Sequence, residues 1–236
     1  MKRVTLTFDN GPDPAVTPRV LDILRERGLF AHFFVLGKHV ATEEGRRLVE
    51  RAVRGGHLVG NHSFTHEIPL GNDTRPDAVE VEIAATDALL SPIVPGEKRF
   101  RPFGGGGVKG PHLFRRDAID HLVAQEYTVV LWNSVPRDWE DPVGWVVRAL
   151  SDVARNDHTV VVLHDIPNAC LDGLPAFLDE ALARDWHFTL DLPEEQTPIL
   201  HGEIIGEIGP LVARDTHEDN DTDNDGAPGS ADEEDS

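Results

Sequence analysis

Hydrophobic positions along this chain follow two alternating rhythms. Short β-branched and aromatic runs occur at residues 3–8, 31–36, 57–61, 98–103, 127–132, 159–164 and 187–192. Between them lie stretches whose apolar residues return every three or four positions, the period of an amphipathic helix. The helix ends are marked by chemistry. Thr17 is expected to cap a helix with Pro18 at its first position and Gly28 at its close, Thr42 to cap one running to Gly55-Gly56, and Pro76 to open one through Leu90. Further helices are expected over 117–125, 142–155 and 173–184. Strand alternating with helix implies an α/β fold of parallel strands with helices outside. A doubly wound open sheet satisfies the alternation too, but seven βα units in fewer than 200 residues favour a barrel that need not close completely.

After the last run, residues 197–212 with "LHGEIIGEIG" suggest a short hairpin or edge. Beyond it the character changes: from Asp215 the only apolar residues are Ala227 and Ala231, so a disordered acidic tail is expected over 214–236, following a barrel domain over 1–213. Within the tail, Asp221, Asp223, Asp225, Gly226 and Asp232 match the spacing of a calcium loop. No amphipathic helices flank it, so a solvated acidic segment is the stronger reading, with weak calcium binding as the alternative.

Bulk composition narrows the function. The chain has 236 residues, 39% of them hydrophobic, enough for one sizeable core. Its net charge of −20, of which the last 23 residues contribute −9, argues against a polyanion-binding surface and hence against nucleic acid. Arg outnumbers Lys 18 to 4, and an acid-rich, Lys-poor surface suits a protein kept soluble in high salt. Cys170 stands alone and can form no internal disulfide, no run of membrane-spanning length occurs, and strand-like sequence follows Met1-Lys2-Arg3 with no apolar leader between. A cytoplasmic location with no membrane partner is the expectation.

Polar side chains gather just past the carboxyl ends of the expected strands. Asp9 and Asn10 follow the first, His62 and His66 the third, Arg101 lies within the fourth, Asp138 and Trp139 follow the fifth, and His164 ends the sixth. That rim is where parallel barrels build their sites. One helical turn would put His62 and His66 on the same side, as a cation site needs, although such a pair alone is more often surface or capping chemistry. Arg101 precedes four glycines, 104–107, which let backbone N–H groups approach a ligand or leave the loop mobile.

In order, "TFDNGP", "HSFTH", "RPFG", "RDW" and "VVLHD" resemble the five motifs of the polysaccharide deacetylase family, the NodB-homology domain of carbohydrate esterase family 4. The resemblance spans roughly residues 3–191 and implies a distorted (β/α)7 barrel that removes an N- or O-acetyl group from a sugar or glycan with a divalent metal, zinc or cobalt. Carried over by position, it implies Asp9 as general base, His164 as general acid, Arg101 and Asp138 as their respective partners, and Asn10, His62 and His66 as metal ligands. The backbone near Phe103 and Gly104 corresponds to the oxyanion donor. Apart from the resemblance, Trp139 is a candidate substrate contact, although buried aromatics more often serve the core. Three positions depart from the pattern. Asn10 stands where the metal-binding Asp is expected, Val135 replaces the first Asp of the fourth motif, and Phe103 replaces Tyr. An amide oxygen coordinates a hard cation without adding negative charge, so weaker metal binding is expected. Two other readings stay open on the residues alone. One is a metal-independent amidohydrolase acting on a cyclic ureide or imide; the other is a catalytically silent domain that binds a glycan or a protein.

Overall fold

In the computed structural model the described residues are 1–214; the expected acidic tail and its calcium-like spacing lie outside them. All seven expected strands form. They are β1 (Arg3–Asp9), β2 (His32–Val35), β3 (Leu58–Asn61), β4 (Arg99–Phe100), β5 (Thr128–Val129), β6 (His158–His164) and β7 (His187–Phe188). Neighbouring strands run parallel in the order β6-β1-β2-β3-β4-β5. β6 lies along the whole of β1, from Arg3 opposite His158 to Asp9 opposite His164, whereas β2 meets only Thr7 to Asp9 and β7 only Arg3 and Val4.

The ring does close, but narrowly. Beyond β5 the chain reaches β6 through one parallel bridge, Ser134 to Val161, strengthened by the Val162 N–H donating to the Ser134 carbonyl at 2.9 Å. Below that bridge the expected hairpin enters as β8 (Ile199–Leu200) and β9 (Glu203–Ile204), with Ile199 antiparallel to Val129. The barrel is therefore distorted: an antiparallel insert occupies part of the seam between its fifth and sixth strands.

Alternation along β1 explains how the core is arranged. Val4, Leu6 and Phe8 face outward into an apolar cluster with Val20, Leu21 and Leu24 of α1 (Thr17–Glu26) and Phe177 and Leu178 of the helix Leu174–Ala183. Each such fully buried side chain contributes about 1.5–3 kcal/mol. Thr5, Thr7 and Asp9, on the other face, are buried polar groups directed into the barrel. A second cluster joins Phe100, Phe114, Tyr127 and Val129 beneath the helix Arg116–Ala124.

Of three local expectations one holds and two change. Thr42 caps the helix Glu43–Arg54 as expected, its hydroxyl accepting from Gly45 N. Thr17 does not cap α1. The N–H groups of Ala15 and Val16 are taken by Asp13 Oδ1, while the Thr17 hydroxyl accepts from Asp13 N and donates to Asp165. The segment expected to be helical from Pro76 becomes so at Ala78 and passes through a π-helical stretch, Glu80–Ala84, into the α-helix Ala85–Leu90.

Candidate active site

The carboxyl ends of the strands surround a cavity of about 300 Å³ lined by Asp9, Asn10, His62, His66, Phe103, the glycines 104–107, Trp139 and His164. Every residue singled out from the sequence lies on this cavity or directly behind it. Parallel registry sets the centre: Asp9 and His164 are lateral partners at the ends of β1 and β6, so their backbones are one strand spacing apart, about 4.8 Å.

Arg101 lies behind Asp9, wholly buried, and donates from Nη1 to Asp9 Oδ1 at 3.0 Å and to the Thr7 hydroxyl. Nε and Nη2 donate to the Val130 and Leu131 carbonyls, both at 3.2 Å, and the guanidinium lies over the Phe34 ring at 4.2 Å. A guanidinium with four of its five N–H groups engaged fixes both the charge and the direction of the Asp9 carboxylate.

His164 has the complementary arrangement. Asp138, wholly buried, accepts from His164 Nδ1 and from the His164 backbone N–H, both at 2.8 Å. Burial alone would lower the His164 pKa; the hydrogen bond and charge of Asp138, joined by Asp9 and Asp165, outweigh it and raise the value above 6.5. Nδ1 thus carries a proton and Nε2 serves the cavity, with Trp139 packed edge-on against the ring at 4.7 Å.

His62 donates from Nδ1 to the Arg101 carbonyl at 2.8 Å, which leaves Nε2 free, 3.7 Å from Asp9 Oδ2. Burial lowers the pKa of His62, and burial followed by the neighbouring His62 lowers that of His66 to about 3. Both imidazoles are therefore neutral near pH 7 and have lone pairs to offer. Their centroids are 5.1 Å apart, and His66 is stacked on Phe103 at 3.9 Å.

Asn10 turns the chain with φ 72°, a left-handed conformation that Asn tolerates. Its Oδ1 is buried and has no hydrogen-bond partner among the described residues. A buried orphan acceptor beside two neutral imidazoles is what a bound cation would satisfy, and an N₂O donor set suits a divalent ion of the zinc or cobalt type. Among the described residues no three His, Cys, Asp or Glu side chains form a ligand group.

The glycine run is an ordered wall. All four glycines, 104–107, have positive φ, from 57° to 133°, and a Cβ on Gly107 would lie 2.8 Å from Val135. Trp132 Nε1 donates to the Gly107 carbonyl at 2.7 Å and Lys109 Nζ to the Trp132 carbonyl at 3.0 Å, which ties the loop down. Trp132, Val135, Val162 and Ile166 give the cavity an apolar side.

One acidic group at the site escaped the sequence reading. Asp165, 1% exposed, follows His164, and its carboxylate fills the space a Cβ on Gly11 would need, 2.2 Å away. Burial, with Asp9 adding to it, raises its pKa to about 7. An acid directly after an apolar strand was a visible signal; its inward direction was not.

Known proteins show the same arrangement of chain. The sequence profile described as polysaccharide deacetylase matches residues 1–110. A chitooligosaccharide deacetylase of Rhizobium leguminosarum bv. trifolii is 34% identical over 182 residues, 73% of this chain and 79% of that protein. The chain belongs to the polysaccharide deacetylase family. A peptidoglycan-N-acetylglucosamine deacetylase of Bacillus cereus is 33% identical over 175 residues, 70% of this chain and 73% of that one. Among solved structures, a family 4 acetyl xylan esterase from Clostridium thermocellum in complex with a cobalt ion superposes with a TM-score of 0.64 at 27% identity, over 80% of this chain and 87% of that one. The family and its distorted (β/α)7 barrel are those implied by the five motifs.

Proposed function

We propose that this polysaccharide deacetylase removes the acetyl group from N-acetylated glucosamine units of an oligosaccharide by attack of water, with Asp9 as base and His164 as acid. The observation that carries this reading is the paired construction of the centre. Asp9, held by a buried Arg, and His164, held by a buried Asp, face one cavity from adjacent strands. Asn10, His62 and His66 would hold a divalent ion, zinc by preference with cobalt in its place; such an ion supplies polarisation of the acetyl carbonyl and a more acidic water.

The chain's own groups account for the proton movements. Asp9 takes a proton from water as the oxygen–carbon bond forms. The charge that develops on the former carbonyl oxygen meets backbone N–H groups near Phe103 and Gly104, a donor worth about 3–4 kcal/mol in comparable sites. As the carbon–nitrogen bond breaks, His164 Nε2 gives its proton to the departing amine, and Asp138 stabilises the imidazolium before transfer and the tautomer after it. Acetate and a free amino sugar result, and the proton on Asp9 returns to His164 through solvent. The acetyl methyl fits the apolar side made by Trp132, Val135, Val162 and Ile166.

The test is incubation with a short N-acetylated chito-oligosaccharide, scoring acetate and new amine together. Equal amounts of both, lost in Asp9→Asn and in His164→Ala, support the reading. Acetate release that survives either substitution counts against the assigned roles.

A further inference from the structure

The segment that carries the two imidazoles has an unusual backbone. Between His62 and His66, Ser63 has φ 75°, and His66 itself has φ 58°, both left-handed in residues other than glycine. Such conformations cost free energy and persist only where the surroundings hold them. The holding groups can be named one by one. The Ser63, Phe64 and Thr65 carbonyls accept from Gly37 N at 2.9 Å, Lys38 N at 3.1 Å and Lys38 Nζ at 2.8 Å. On the donor side, Ser63 N goes to Asn61 Oδ1 at 2.9 Å, while Phe64 N and Thr65 N both go to one oxygen, Glu82 Oε2, at 3.1 and 2.8 Å. Glu82 Oε1 accepts the Thr65 hydroxyl at 2.8 Å and Arg75 Nη2 at 2.9 Å.

Glu82 is 0% exposed and lies in the π-helical stretch Glu80–Ala84. A π turn widens the helix and shifts the direction of its side chains relative to an α-helix, and such turns recur at functional sites. In this one the next residue, Ile83, uses its carbonyl to accept from Asn61 Nδ2 at 2.9 Å. The helix thus grips the segment at both ends, through Glu82 directly and through Asn61. A wholly buried carboxylate is expensive unless its oxygens are filled, and here all the donors but one come from the segment between the histidines.

We propose that Glu82 is a positioning residue for the ion site: its carboxylate holds the Phe64 and Thr65 amides and so sets the separation and direction of His62 and His66. The inference rests on the metal reading above, which it extends from the ligands to the group that arranges them.

The test uses the full chain, wild type and Glu82→Gln, with Co²⁺ as probe. Two quantities are read below the melting range of both proteins: Co²⁺ affinity by calorimetric titration, and hydrogen exchange of the Phe64 and Thr65 amides. An amide in place of the carboxylate sets a donor against a donor. Co²⁺ affinity is expected to fall 10- to 100-fold, the scale at which groups behind the ligands act, and both amides are expected to exchange faster. A role confined to stability would lower the melting temperature and leave Co²⁺ affinity unchanged; that result overturns the proposal, as does unchanged protection of the two amides. If the wild type takes up no Co²⁺, the metal reading fails by itself and amide exchange alone decides for or against Glu82. Should Glu82→Gln not fold, Thr65→Val, which removes the hydroxyl's bond to Glu82 and the longer one it accepts from Glu67 N while leaving both amide bonds in place, is expected to weaken Co²⁺ several-fold, and wild-type affinity in that variant overturns the inference.

Discussion

Replacing Asp138 by Asn probes the acid side of the mechanism with the least change of shape. In the wild type, one buried carboxylate accepts both the ring Nδ1–H and the backbone N–H of His164 at 2.8 Å. An amide oxygen can keep the first of these bonds, but its NH₂ then confronts the backbone donor, and the negative charge is gone. At an effective dielectric of about 20, a unit charge pair about 4 Å apart is worth about 4 kcal/mol. Burial is the largest influence on His164 and acts downward, so without Asp138 the raised pKa falls. The sign follows from the role. The acid must be protonated, so activity is lost as pH rises through the His164 pKa, and in Asp138→Asn that loss occurs at lower pH. At pH 7 we expect kcat to drop roughly 10²- to 10⁴-fold, the range of a general acid contribution. The assay is the pH profile of kcat for acetate release. An alkaline limb at the same pH as the wild type, with kcat preserved, would refute the assignment of His164 as the acid poised by Asp138.

Further outcomes follow from the same geometry. Asn10→Asp adds a full negative charge where the orphan Oδ1 now stands and should tighten Co²⁺ or Zn²⁺ binding at least about 10-fold by calorimetric titration; unchanged affinity would mean that residue 10 is no ligand. Arg101→Met strands the Asp9 carboxylate in a buried setting, and breaking such a pair should cost about 3–5 kcal/mol of unfolding free energy in urea; a loss under 1 kcal/mol, roughly a surface pair's worth, would contradict its structural weight. Asp165 holds its proton in the fold up to about pH 7 against 3.8 for the unperturbed carboxyl. The folded state therefore binds the extra proton between those values, and Asp165 removes stability as pH rises across that window, by about 4 kcal/mol in all. His164, with its raised pKa, acts in the same direction, its contribution being present at low pH and lost as pH rises through the folded value. In Asp165→Asn the decline in melting temperature from pH 4 to 7 should be shallower, and an unaltered decline would remove Asp165 as its source.

Much of the architecture was legible because period reports burial. Seven strands, the Thr42 cap and the hairpin after the last strand were read from apolar spacing and turn chemistry, and all are present. Three strands are shorter than the apolar runs suggest, β4, β5 and β7 keeping two residues each; β4 and β5 leave the ladder where Arg101 turns to Asp9 and where Trp132 turns to the glycine wall. Thr17 looked like a cap because side-chain type reveals hydrogen-bonding capacity and not the partner; its hydroxyl instead joins Asp13 to Asp165. The glycine run allowed two readings, mobile or close-approaching, and long-range contacts from Trp132 and Lys109 decide for the ordered one. Glu82 was invisible for a different reason. In "VEVEIAA" either Glu could have faced solvent, and only the π turn, which no α-helical period encodes, directs the second inward. The motif residues were legible as a set because parallel registry delivers strand ends to one rim, whereas the groups that hold them depend on contacts remote in sequence.

If Asp9 and His164 carry out hydrolysis around an ion held by Asn10, His62 and His66, turnover must depend on that ion. The deciding assay is acetate released from N-acetylated chito-oligosaccharide by protein dialysed against chelator, before and after Co²⁺ is returned. Little acetate is expected before, recovery on addition of the ion, and no recovery in His62→Ala. Full activity in chelator, or none with any divalent ion, would rule out ion-assisted hydrolysis at this site.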